Sequence, residues 1–107
     1  MVKQVKTLNE LDQVLNQNPN KLVIIDFFAT WCGPCKVIAP NFEKLSEEFP
    51  DVTFLKVDVD QAEDAAEKYG VTAMPTFVLL KNGKPVETCV GADIQKVSET
   101  IKKHSPH

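Results

Sequence analysis

Residues Val23 to Cys35 read VIIDFFATWCGPC, and the fold turns on them. Leu22 to Ala29 is a nearly unbroken apolar run of strand length, rich in β-branched and aromatic residues. That is the composition of a strand covered on both faces. Directly after it, Cys32-Gly33-Pro34-Cys35 opens a helical pattern in which Ile38, Phe42, Leu45 and Phe49 form one apolar stripe. Pro34 suits the first turn of that helix, where a missing N–H costs nothing. Cysteines three apart share a helix face, so their sulfurs can meet across one turn. The free N–H groups and positive dipole end of this turn favour a thiolate. Cys32, nearer the exposed end, is expected to be the nucleophile, and Cys35, a turn deeper, to resolve a mixed disulfide.

The same alternation of strand and helix continues outward. Met1–Val5 is a short first strand. Thr7-Leu8-Asn9-Glu10 forms a capping box, and Leu8, Leu11, Val14 and Leu15 keep helical spacing until Asn18-Pro19-Asn20. Pro40 lies inside the long helix, which Pro50 ends; it removes one N–H and predicts a kink. Val52–Val57 is a second buried strand. Asp60-Gln61-Ala62-Glu63 resembles a second capping box, followed by Ala62, Ala65, Ala66 and Tyr69 on one face and Gly70 as the stop. Thr76–Leu80 and Pro85–Val90 flank Lys81-Asn82-Gly83-Lys84, a hairpin signal. Ile94, Val97 and Ile101 point inward from a last helix. The order βαβαβαββα predicts one α/β domain over residues 1–107, a mixed five-stranded sheet with four helices covering both faces.

A chain of 107 residues, 43% hydrophobic and 25% charged, is long enough to bury a core without staples. Its net charge of −3 and lack of a basic run point away from nucleic acid and from anionic membrane surfaces. No segment approaches the roughly 20 apolar residues that span a bilayer, and MVKQVKTLNE lacks the apolar stretch of a signal peptide. A reducing, cytoplasmic setting is expected, in which a cysteine pair is catalytic or metal-binding rather than structural. Zinc takes four ligands, and beyond the pair the chain offers only Cys89, His104 and His107. No metal is expected. Inert buried thiols fit poorly beside Trp31, Gly33 and Pro34. C-x-x-C in a βαβ context instead signals thiol–disulfide chemistry.

Asp26 breaks the apolar strand. An ionised carboxylate there must find a partner or hold its proton with a raised pKa. It lies six residues before Cys32, on the strand feeding the cysteine helix, so it is expected beneath that helix near Cys35. From there it can accept the Cys35 proton through a water. The competing structural role is a pair with Lys56 from the next strand; Lys56 also serves as a tuning charge in the first role. Cys89 alternates with Glu87 and is expected on the more exposed face of an edge strand. Asp58 and Asp60 are expected at a strand end and a helix cap.

The chain resembles the thioredoxin family along essentially its whole length. The match is carried by Asp26 in its apolar strand, Trp31-Cys32-Gly33-Pro34-Cys35, Lys56-Val57-Asp58-Val59-Asp60, Met74-Pro75-Thr76 and Val90-Gly91-Ala92. The resemblance implies a thioredoxin fold and a general protein-disulfide reductase that binds no cofactor. Its electrons would come from NADPH through a flavoprotein, thioredoxin reductase. It assigns the proton-accepting role to Asp26 and implies a cis Pro75 facing the cysteines. Backbone beside Pro75 would then pair with an extended target segment. Trp31, Ala73, Met74, Gly91 and Ala92 would form a flat apolar rim for disulfide-containing target proteins. Ala73 replaces the extra cysteine of some members, so a dimer linked there is excluded, and a monomer is expected. Gly33-Pro34 argues against an oxidase or isomerase, whose relatives usually carry a histidine between the cysteines. The tyrosine usual in glutaredoxins is also absent. A redox-gated protein-binding module is the alternative from another class.

Overall fold

Strand β2 (Leu22–Phe28) runs down the middle of the sheet, and its alternation explains the two cores on either side. In the computed structural model, which describes residues 1–105, Val23, Ile25 and Phe27 point into one core. Leu22 and Ile24 point into the other. Period-two geometry places Asp26 and Phe28 in the same row as Leu22 and Ile24. His107, weighed above as a zinc ligand, lies outside the described residues.

The remaining elements are β1 (Val2–Val5), α1 (Leu8–Gln17), α2 (Gly33–Glu48), β3 (Thr53–Asp58), α3 (Glu63–Lys68), β4 (Thr76–Lys81), β5 (Lys84–Val90) and α4 (Ile94–His104). Their order is the expected βαβαβαββα. The sheet order is β1-β3-β2-β4-β5, with β1, β3 and β2 parallel and β4 and β5 antiparallel to their neighbours. Asn82 and Gly83 both have positive φ, as a tight Asn-Gly hairpin requires.

Helix α1 starts at Thr7, whose hydroxyl accepts from the Glu10 N–H at 3.0 Å. Leu11, Val14 and Leu15 bury its apolar face with Ala62 and Ala65 in the first core. Helix α2 stays helical through Pro40, so the proline does not divide it. It is anchored by Phe42, whose ring packs 5.2 Å from Phe54 and 5.3 Å from Phe77. Truncating a phenylalanine buried this fully costs roughly 3–5 kcal/mol, so the helix is firmly held on the sheet.

Two expectations are corrected. Helix α3 begins at Glu63 with Ala62 as N-cap and no side-chain cap, not with Asp60. The turn before it is built instead by Asp58, whose carboxylate accepts from Asp60 N–H at 2.9 Å and whose carbonyl accepts from Ala62 N–H at 2.9 Å. The Asp60 carboxylate is used elsewhere, as described below. Cys89 is buried, not exposed: α4 lies across its face of edge strand β5, and Cys89 Sγ sits 3.3 Å from Thr100 Oγ1. On the same face Glu87 meets Lys103 at 3.2 Å and His104 at 3.3 Å.

Candidate functional site

Strand β2 ends, Ala29 to Trp31 turn, and α2 begins with Cys32 as its N-cap. Here the cap is sulfur: Cys35 N–H donates to Cys32 Sγ at 3.2 Å. Cys32 and Cys35 are joined as a disulfide, with Cα atoms 5.3 Å apart. The expected contrast in exposure between them is absent, since Cys32 is 5% and Cys35 4% exposed. Ala29 packs with the pair, and Phe28, Val59 and Met74 close around it, which shields both sulfurs alike. What separates the cysteines is position. Cys32 receives the helix's free amide, whereas Cys35 lines a cleft of about 240 Å³ below.

That cleft also has Asp26, Lys36, Ala39 and Lys56 in its walls, so Asp26 does lie beneath α2 and shares a space with Cys35. Asp26 is buried, and its Oδ1 has no hydrogen-bond partner among the described residues. Burial pushes its carboxyl from the ordinary 3.8 to about 7, and the positive charge of Lys56 pulls against that rise. Asp26 and Lys56 are register partners on β2 and β3, which places both side chains on the α2 face. They are not an ion pair: the Lys56 ammonium lies over the Phe28 ring, 5.8 Å from its centroid. The paired role considered for Asp26 therefore fails, and Lys56 acts on the carboxyl only through its charge. The cleft has room for several waters at roughly 30 Å³ each, and an orphaned carboxylate oxygen is the kind of partner a buried water takes.

Above the cysteines, Trp31 is 66% exposed. Met74 is half-buried and packs against the pair. The Met74–Pro75 peptide is cis. Pro75 carbonyl accepts from Gly91 N–H at 2.9 Å, which brings Gly91 and Ala92 to the same end of the molecule as Ala73 and Met74. Gly91 has φ +102, a conformation that favours glycine. Gly33 and Pro34 are exposed in the first turn, with open space where a Gly33 side chain would stand. Among the described residues, no group of three or more His, Cys, Asp or Glu side chains is placed to hold a metal ion.

One contact was missed from sequence. Trp31 Nε1–H donates to Asp60 Oδ2 at 2.8 Å, tying the indole to the β3–α3 turn. The same turn carries Val59, whose N–H donates to Phe28 carbonyl at 2.9 Å and whose side chain packs by the cysteines. Trp31 is the only tryptophan, so the protein's tryptophan emission comes from this indole alone. Asp60→Ala is expected to free the ring and lower fluorescence anisotropy. The stability cost should be only about 1 kcal/mol, the net worth of an ordinary hydrogen bond, because solvent screens the carboxylate's charge at this exposed contact. Unchanged anisotropy would show that packing alone holds the ring.

The family model for thioredoxin matches residues 2–103. Thioredoxin-1 of Schizosaccharomyces pombe is 53% identical over 102 residues, covering 95% of this chain and 97% of its own. Among solved structures, Fasciola hepatica thioredoxin superposes with a TM-score of 0.94 at 51% identity, over 96% of this chain and 99% of that one. Reduced Schistosoma mansoni thioredoxin gives 0.93 at 54% identity, over 95% and 96%.

Proposed function

The chain belongs to the thioredoxin family of thiol–disulfide oxidoreductases, and from that premise we propose how its own residues reduce a protein disulfide. In the reduced protein, Cys35 N–H and the positive end of α2 favour the Cys32 thiolate. The thiolate attacks one sulfur of a target disulfide. A Cys32–target bond forms, the target's own S–S bond breaks, and its first thiolate leaves. Asp26, unprotonated and with no partner for Oδ1 among the described residues, takes the proton of Cys35 through water in the shared cleft. The Cys35 thiolate then attacks Cys32 Sγ, expelling the second target thiolate and closing the Cys32–Cys35 disulfide. Two electrons pass to the target. Lys56 sets the pH at which Asp26 is available, and Gly33-Pro34 hold the pair at one turn's spacing.

Trp31, Ala73, Met74, Pro75, Gly91 and Ala92 form the surface on which the target segment lies. Reduction of the Cys32–Cys35 disulfide comes from NADPH through thioredoxin reductase, with no cofactor bound to this chain. The setting is the cytoplasm and the working form a monomer. No helix among the described residues is long and apolar enough to cross a membrane. The single observation that supports the mechanism is the cleft lined by both Cys35 and Asp26, whose Oδ1 has no hydrogen-bond partner among the described residues.

The direction of electron flow is tested by equilibrating the Cys32–Cys35 couple with a buffered dithiol pair. A reduction potential below about −250 mV is expected, the range for which thioredoxin is itself the reference case. A value above about −180 mV would make the chain an oxidant or isomerase and reverse the proposed flow.

A further inference from the structure

Helix α2 buries Ile38, Phe42 and Leu45 on the sheet, yet one valine stands outside that stripe. Val37 is 74% exposed, more so than Trp31. A β-branched residue in an exposed helix interior is mildly unfavourable for the helix, so neither packing nor propensity explains it. Its place on the helix is informative. Val37 lies three residues after Pro34 and four after Gly33, so the three share one face, and all three are exposed. That face is continuous with the turn holding the cysteines. Lys36, also exposed, stands beside it.

We infer that Val37 extends the target-docking surface one turn along α2 and receives an apolar side chain of the protein being reduced. This rests on the disulfide-reductase function above. Five residues of helix separate Val37 from Cys32, about 7.5 Å along the axis. An extended chain covers that span in roughly two residues, and side chains two apart point the same way. A target segment laid over the cysteines along α2 therefore presents to Val37 the residue two positions from its attacked cysteine. Lys36 adds a preference for an acidic neighbour there. The partner is thus an extended polypeptide with a cysteine, an apolar side chain two residues away and a carboxylate at its flank.

The test uses two disulfide-bonded peptides, identical except for leucine or asparagine at both positions two residues from the attacked cysteine. The wild-type chain is expected to show a kcat/KM about fivefold higher for the leucine peptide, mostly through KM, the scale of burying part of a valine and its partner. In Val37→Asn that ratio should fall to about one, and in Val37→Leu it should persist. No preference in the wild type, or an undiminished preference in Val37→Asn, overturns the inference. Failure of the wild type to reduce either peptide would instead overturn the reductase function itself. An equal loss on both peptides in Val37→Asn would assign Val37 to the chemistry and likewise overturn its docking role.

Discussion

Cys35→Ser is expected to stop the cycle after its first half, with turnover of a protein disulfide falling by about three orders of magnitude or more. The effect is large because the two cysteines act as a unit. Cys32 keeps its cap position at the head of α2, so attack on the target proceeds. A hydroxyl at residue 35 cannot displace the target sulfur, so the mixed disulfide accumulates. Mass spectrometry of the variant mixed with an oxidised target should show one target per chain, joined through Cys32 and released by dithiothreitol. Cys89 is no substitute: its sulfur is buried against Thr100 under α4. If Cys35→Ser supported a biological role undiminished, that role would be redox-gated binding and not turnover.

Asp26→Asn is expected to make the protein more stable and a poorer catalyst, with both effects dependent on pH. Below pH 3.8 the carboxyl is protonated in the folded and the unfolded chain alike, and it contributes no pH-dependent penalty. Between 3.8 and about 7 the unfolded chain releases this proton while the folded chain keeps it, so stability falls as pH rises. Above about 7 the penalty is complete. At about 1.4 kcal/mol per tenfold change in proton affinity, it amounts to about 4 kcal/mol. The asparagine amide retains part of the burial cost, because the Oδ1 position has no partner among the described residues. A gain of about 2–3 kcal/mol at pH 8, near 10 °C in Tm, is the expected result, with little gain at pH 4. Equal gains at both values would assign the effect to packing rather than charge. In single-turnover kinetics the resolving step should slow by about a hundredfold at pH 8 and lose its rise through neutral pH, since asparagine accepts no proton.

Local patterns carried the succession of elements because each was written over consecutive residues. The apolar run of β2, the Thr7 cap and Asn82-Gly83 each depend on neighbours in sequence. Asp26 was legible for the opposite reason: a charge inside an apolar strand contradicts its surroundings. The misreadings share one physical cause. Asp60 looked like a helix cap because the nearest amides lie at α3, but its carboxylate meets an indole 29 residues earlier in the chain. Cys89 looked exposed because β5 is an edge strand, and only the docking of α4 covers that face. The equal shielding of Cys32 and Cys35 depends on Phe28, Val59 and Met74 arriving from three different elements or turns. Val37 left a signal in sequence, an apolar residue off the Ile38–Phe42–Leu45 stripe, whose meaning needed the exposed face to be seen.

The position of β2 between β3 and β4 has a consequence for how activity is lost. A strand hydrogen-bonded on both edges and covered on both faces opens only when the whole domain does. Asp26 belongs to that strand, and the cysteine turn springs from its end. Local fraying of β1 or of the α4 terminus therefore leaves the catalytic framework standing. Amide hydrogens of β2 should exchange with solvent at the rate of global unfolding, and heat should abolish catalysis and structure together. The buried carboxyl that weakens the fold is thus built into its least yielding part.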